Sequence, residues 1–411
     1  MSMAVTGKLA LVVGGGPAPG INGVISAVTI EAVEQGMEVF GFLDGFKNLV
    51  EGRSDQHVKL GIDQVKSINL RGGSILRTSR TNPTKSPEMM KNVLDVFRQM
   101  GITMLVTIGG DDTAFSGSQV YKNGAGAIRV AHVPKTIDND LPLPGSTPTF
   151  GFETARQVGV GIVRNLAEDA RTTSRWYLIV SMGRAAGHLA LGIGKASAAT
   201  VTIIPEEFRG RSVSLDEVCD IILGGIIKRR SKGSNYGVVV LAEGLLEAVG
   251  EKGLKEMIES GQIGRYGEVT RDPHGHIRLG EIEFGRMIKD RLTSKLQEIG
   301  LSVTLIDKDL GYELRCADPN PFDAEYTRDL GYGAVKFLLG EESEKYGAII
   351  SIVGGQLKTL PFEQMLDPRT KRMTTRQVNI DGEGYQCARR YMLRLSRRDF
   401  EDAERLDALS R

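Results

Sequence analysis

Short, continuously apolar runs that stop at glycine or a polar residue, each followed by a longer stretch of helical period, constrain this chain more than any other feature. "KLALVVGGG", "MEVFGFLDG", "ITMLVTIGG", "IRVAHVPKT", "RWYLIVSMG", "ATVTIIPEE", "YGVVVLAEG" and "YGAIISIVGG" are rich in Val, Ile and Leu without polar alternation. A strand apolar on both sides must be covered on both sides, and a helix between successive strands is the connection a parallel sheet requires. The pattern therefore predicts α/β architecture with mostly parallel sheets. With 411 residues the chain exceeds one small domain, so two Rossmann-like three-layer α/β/α units are expected.

In such sheets ligands bind beyond the carboxyl ends of the strands, and the polar motifs of this chain stand there. "GGGPAPGING" (Gly14–Gly23) lies between a strand and the helical "VISAVTIEAVEQG". Glycines admit a bulky anion to the backbone, and the helix start offers free N–H groups. Alone, the turn reads equally as a tight strand-to-helix connection. "TIGGDDTAF" (Thr107–Phe115) and "PKTIDND" (Pro134–Asp140) end the next strands with paired aspartates. Four carboxylates at one sheet edge repel unless a divalent cation or cationic side chains offset them. Magnesium would do so while bridging phosphate oxygens, and a remaining carboxylate can take a proton from a hydroxyl nucleophile. Acidic turns capping helices are the alternative. Cations come from "GGSILRTSRTNP", with Arg77 and Arg80, and from "SMGRAAGH", with Arg184; each alone also reads as a surface residue.

Composition excludes several classes. Basic and acidic residues number 52 and 51, a net charge of +1, so no global field draws the chain to nucleic acid or membrane. No run of about 20 apolar residues occurs, and the N-terminus runs straight into a strand, so a cytoplasmic protein is expected. Cys219, Cys316 and Cys387 are far apart and odd in number, the mark of reduced structural thiols. The polar interval Glu247–Gly285 reads as a helix followed by an exposed hairpin or loop. Within it "HGH" (His274, His276) lacks a third metal ligand. "KRRSK" (Lys228–Lys232) reads as a solvated face, and the tail "ARRYMLRLSRRDFEDAERLDALSR" as helical.

Together these motifs resemble the phosphofructokinase family, from the first strand to about Phe337. The resemblance rests on "GGPAPGIN", "TSR", "GGDDT", "PKTIDND", "MGR", "AEG" and "LGYELRCADPNPFD", in that order. It implies that Gly16 and the turn after it hold the phosphoryl donor, with Arg80 beside it and Thr113 in the same site, and that Asp111 holds Mg2+. It further implies that Asp138 is the base on the 1-hydroxyl of fructose 6-phosphate with Asp140 in support, while Thr136 contacts and Arg184 stabilises the transferring group. Met182, Gly183, Glu243, Tyr312 and Arg315 would bind the sugar phosphate. Arg175 resembles the arginine lent across a subunit interface, implying a homodimer or homotetramer with shared sites. The implied donor domain spans 1–150 and 314–368, and the sugar-phosphate domain 151–313 and 369–411. "GHIRLG" (Gly275–Gly280) resembles the late sugar-phosphate motif too, but the strand-forming stretch and helix (Arg286–Ile299) before "LGYELRCADPNPFD" favour the latter. Ile306, with Lys308 nearby, departs from the second cross-subunit arginine of many members.

In ATP-using members the positions of Asp112 and Lys135 are usually glycine. Asp112 would fill the space of a nucleotide's α-phosphate and oppose its charge, and Lys135 could pair with Asp112 and reach the donor's terminal phosphate. That pair resembles pyrophosphate-dependent members, so the expected reaction is reversible phosphorylation of fructose 6-phosphate by pyrophosphate, serving glycolysis and gluconeogenesis. Three alternatives remain: ATP as donor, sedoheptulose 7-phosphate as acceptor, and a regulatory subunit that binds sugar phosphate without turnover. Intact Asp138, Asp140 and Arg184 speak against the last.

Overall fold

The computed structural model describes residues 7–249, 262–271, 278–370 and 372–410. His274 and His276, the start of the "GHIRLG" stretch and much of the polar interval lie outside them. Strands run β1 Lys8–Val13, β2 Glu38–Phe42, β3 His57–Leu60, β4 Met104–Gly109, β5 Arg129–Pro134, β6 Trp176–Ser181, β7 Val201–Ile203, β8 Gly237–Ala242, β9 Leu305–Leu310, β10 Ala348–Val353 and β11 Gln356–Pro361. The chain forms two units, one within Met1–Ala155 and Tyr312–Arg376, the other within Arg156–Arg271, Ile277–Gly311 and Gln377–Arg411.

The first unit is a sheet ordered β11-β10-β5-β4-β1-β2-β3. Side chains alternate across a strand, and β1 shows the result: Leu9, Leu11 and Val13 enter one core, Ala10 and Val12 the other. The first core is closed by the helices Ile21–Glu34 and Pro321–Leu339. These helices approach closely because Gly331 has no Cβ; one there would stand 2.5 Å from that of Ala27. The opposite core is closed by the helices Pro87–Met100 and Asp111–Asn123. Every apolar run predicted as a strand is one. The edges β3 and β11 are antiparallel to their neighbours.

The second unit holds the all-parallel order β7-β8-β6-β9. Trp176 opens β6 opposite Gly237, where a Cβ would lie 2.5 Å from the indole, so glycine makes room for the largest side chain of this core. The helices Leu215–Arg230 and Phe284–Glu298 cover that face. The helix His188–Ala196 packs on the other face, with Gly194 against Thr202.

The C-terminal tail departs from the helical expectation. The helix Glu383–Tyr391 stops at Met392, whose backbone is extended, and short helices resume at Arg398–Glu401 and Ala403–Ser410. The break follows from tertiary bonds: the Leu393 N–H donates to the Thr200 carbonyl, and buried Arg394 pairs with Glu207 at 2.5 Å. Lys228 of "KRRSK" is likewise not solvated; its ammonium pairs with buried Asp399 at 2.7 Å. The thiols are free, and burial pushes Cys219 up to about 12. No helix among the described residues is long and apolar enough to cross a membrane.

Candidate active site

In the first unit the ends of β1, β4 and β5 converge. Past β1, the Gly14 N–H donates to the Ile108 carbonyl at 2.9 Å, and the Gly15 N–H to the Ser79 carbonyl at 2.9 Å. The Thr78 hydroxyl returns a bond to the Gly15 carbonyl at 2.7 Å, so the "TSR" segment lies along the glycine turn. Gly15 and Gly20 have φ of 81° and 96°, a region closed to most side chains. Gly20 precedes the helix Ile21–Glu34 and makes no side-chain cap.

Charge gathers on this turn. A Cβ on Gly16 would collide with the Arg315 guanidinium. Burial pushes that guanidinium below its ordinary pKa, Arg80 pushes the same way, and Asp138 opposes both. Arg80 and Asp138 therefore both lie within electrostatic reach of Arg315, which stands beside Gly16. Lys135 is buried, and its ammonium donates to the Gly16 carbonyl. Arg315 also stacks over the exposed ring of Tyr312, 5.3 Å from its centroid.

The paired aspartates Asp111 and Asp112 open the helix Asp111–Asn123, where the positive end of the helix dipole favours carboxylates. The next residue, Thr113, fills the space over Gly14 and Gly109 that side chains there would need. Sequence reasoning missed the residue that holds this turn. His132 is fully buried in β5; its Nε2 donates to the Gly109 carbonyl at 3.0 Å and its Nδ1 accepts from the Thr107 hydroxyl at 2.9 Å. Burial lowers its pKa to about 3, with Lys135 adding to the shift and the Gly109 bond opposing it, so the ring is neutral.

The "PKTIDND" loop is buried throughout from Pro134 to Asp140. The Thr136 hydroxyl accepts from the Asp138 N–H at 3.0 Å, and the Thr149 hydroxyl donates to the Thr136 carbonyl at 2.8 Å. Asn139 has φ of 57°, and its Oδ1 accepts from the Thr149 N–H at 3.1 Å. Arg376, also unforeseen, reaches the loop from across the unit. Its Nε donates to the Asn139 carbonyl at 2.8 Å, an Nη donates to Asn139 Oδ1, and its backbone N–H donates to the Asp140 carbonyl at 2.6 Å. Asp323 of "PNPFD" supports the following turn: its carboxylate accepts from the Gly151 and Thr154 N–H groups at 2.8 Å each.

In the second unit the turn after β6 holds Met182, Gly183 and Arg184. Arg184 has φ of 51°, and the conformation is fixed by Glu243, whose Oε1 accepts from the Gly183 N–H at 3.0 Å and the Arg184 N–H at 2.7 Å. Farther along, buried Glu206 accepts from the Gly187 and Val378 N–H groups at 2.9 Å each. Arg175 lies elsewhere. It immediately precedes Trp176, so it stands at the opposite end of β6 from Met182–Arg184, roughly 20 Å away for a strand of this length.

These features define a doubly wound α/β protein with binding turns at the carboxyl ends of parallel strands. The chain belongs to the phosphofructokinase family, whose model, "Phosphofructokinase", matches residues 8–338. It is 52% identical over 399 residues to a pyrophosphate--fructose 6-phosphate 1-phosphotransferase of Thermotoga maritima, covering 97% of this chain and 93% of that one. A protein of the same name from Naegleria fowleri is 49% identical over 409 residues, covering 98% and 91%. Two solved structures share the fold. A pyrophosphate-dependent phosphofructokinase from Marinobacter aquaeolei matches at TM-score 0.69 and 16% identity, covering 94% of this chain and 90% of that one. Phosphofructokinase from Saccharomyces cerevisiae matches at 0.67 and 22% identity, covering 87% of this chain, which spans 45% of that longer one.

Proposed function

We propose that this protein transfers a phosphoryl group reversibly between inorganic pyrophosphate and the 1-hydroxyl of fructose 6-phosphate, giving fructose 1,6-bisphosphate. The observation that carries the reading is the buried Lys135 ammonium lying across the glycine turn, on the Gly16 carbonyl and 3.2 Å from where a Cβ on Gly15 would stand. A cation fixed there meets the terminal phosphate of a short donor, and with Asp112 it narrows the space a nucleotide's inner phosphate would need. Relatives about half identical over nearly the whole chain bear the name of this reaction.

In this reading the first unit binds the donor through Gly16, Thr113, Arg80 and Lys135, and the second binds fructose 6-phosphate through Met182, Gly183 and Glu243. Tyr312 and Arg315 complete the sugar-phosphate contacts, although the position of Arg315 against Gly16 and Asp138 also brings it to the donor turn. Asp138 takes the proton from the 1-hydroxyl as the oxygen attacks phosphorus, and Asp140 supports it. Thr136 contacts the transferring group. Arg184 stabilises the negative charge spread over its equatorial oxygens.

The donor set suits Mg2+. Asp111 offers a carboxylate oxygen at the sheet edge, and Mg2+ is typically held through one or two carboxylates together with phosphate oxygens and water. Bound there, it would neutralise charge on the phosphate oxygens. Arg175, at the far end of β6 from the Arg184 turn, fits lending to a neighbouring copy's site, so we propose a homodimer or homotetramer. A cytoplasmic location accords with the reduced cysteines. The test is product formation from fructose 6-phosphate with pyrophosphate and with ATP at equal magnesium, with sedoheptulose 7-phosphate as competitor. Faster turnover with ATP overturns the donor assignment.

A further inference from the structure

Arg376 is 237 positions from Asn139 in the chain, yet it makes its contacts on the "PKTIDND" loop. Three bonds hold the two together: side-chain bonds to both oxygens of Asn139, and a backbone bond to the carbonyl of Asp140. Asn139 lies between the two aspartates with a left-handed φ of 57°, a conformation asparagine adopts more readily than other non-glycine residues, and the bonds from Arg376 fix how that turn faces. The Asn139 amide oxygen is shared between Arg376 and the Thr149 N–H, so the loop is clamped from two sides. Arg376 also carries charge into the site. Burial weakens its guanidinium, and the Asp140 carboxylate is the chief group opposing that effect.

We infer that Arg376 is a positioning residue for the reaction: its guanidinium fixes the Asn139 backbone, and through it the spacing and direction of the Asp138 and Asp140 carboxylates. Its bonds go to Asn139 and to the Asp140 carbonyl, so it acts through the loop. A fork is required, because one planar group must bond a carbonyl and a side-chain amide oxygen of the same residue at once. The inference rests on the proposed phosphoryl transfer, with Asp138 as base.

The experiment compares the full-length parent with Arg376→Ala and Arg376→Lys, using pyrophosphate, fructose 6-phosphate and Mg2+. The expected result for Arg376→Ala is a kcat lower by about tenfold to a hundredfold, with KM for both substrates within about twofold. Guanidinium added at millimolar concentration restores turnover saturably, and Arg376→Lys stays impaired because an ammonium lacks the fork. Hydrogen exchange of the peptide spanning 135–141 speeds up in Arg376→Ala and slows again with guanidinium. A kcat within about twofold of the parent, or a loss that guanidinium does not recover in a variant of unchanged melting temperature, overturns the inference. If the parent itself shows no turnover with these substrates, the function reading fails, while the exchange measurement still decides whether Arg376 holds the loop.

Discussion

His132 Nε2 stands 3.0 Å from the carbonyl oxygen of Gly109, a bond inside the core that ties the end of β4 to its neighbour β5. The same carbonyl accepts from the Lys135 N–H at 2.8 Å, so one oxygen anchors both the "GGDD" turn and the residue that begins "KTIDND". The ring must stay neutral to serve here, since its protonated form would lose the acceptor for the Thr107 hydroxyl and place a charge in an apolar core.

Acid stability follows from this. The folded pKa is about 3 against an ordinary value near 6.5, so below 6.5 the unfolded chain binds a proton that the folded chain refuses. Stability is unaffected by this group above pH 6.5 and falls as pH drops toward 3. At pH 5 the loss is about 2 kcal/mol. Melting temperatures of parent and His132→Gln at pH 7.5 and pH 5 check it: the variant starts lower, but the acid-induced drop is smaller. Equal drops would show that the imidazole is not responsible.

The fit of Thr113 over Gly14 predicts a compensating pair. Gly14 has no positive φ, and a Cβ there meets the Thr113 side chain, with Cγ2 at 2.9 Å. Gly14→Ala should cost about 1–3 kcal/mol through overpacking. Thr113→Ala in the same chain removes the two nearest atoms, leaving Cβ at 3.2 Å, and should recover most of that cost. Thermal unfolding of the two single variants and the double variant reads the coupling; simple additivity would contradict it.

Donor choice rests on Asp112 and Lys135. Replacing both with glycine opens the space next to the turn and removes the ammonium from the Gly16 carbonyl. Pyrophosphate turnover should fall and ATP turnover should rise above that of the parent. An unchanged ATP rate in the double variant rules out crowding as the basis of donor selection.

Asp138→Asn keeps the shape of the loop and removes the proton acceptor. Turnover should fall by about a hundredfold or more with little change in sugar-phosphate affinity. Measuring kcat alongside direct fructose 6-phosphate binding separates the two, and near-normal kcat would remove Asp138 from the role of base.

Apolar runs such as "KLALVV" and "ITMLVTIG" are strands because nothing in them tolerates water on either face, and that demand is local. The parallel sheets, the α/β class and the placing of the glycine and aspartate turns at strand ends were therefore written in consecutive residues. The edge strands β3 and β11 were not, because their "HVKL" and "QLKTLP" are largely exposed or half-buried, with no apolar signature. The tail was misread for the complementary reason: charge spacing favours a helix locally, but bonds from Leu393 to Thr200 and from Arg394 to Glu207 break it.

The motif residues were legible in the same local way, as glycines, aspartates and arginines at fixed spacing. Their supports were not. Nothing near His132 announces that its ring will hold the Gly109 carbonyl, and nothing near Arg376 connects it to Asn139, because hydrogen bonds between distant segments leave no periodicity in either. The sequence alone determined which residues could carry charge, chemistry and sheet, since those properties belong to side chains and their neighbours along the chain. Only the tertiary structure decided which of them meet, and which buried partners hold them there, since distance in space is set by how the whole core packs.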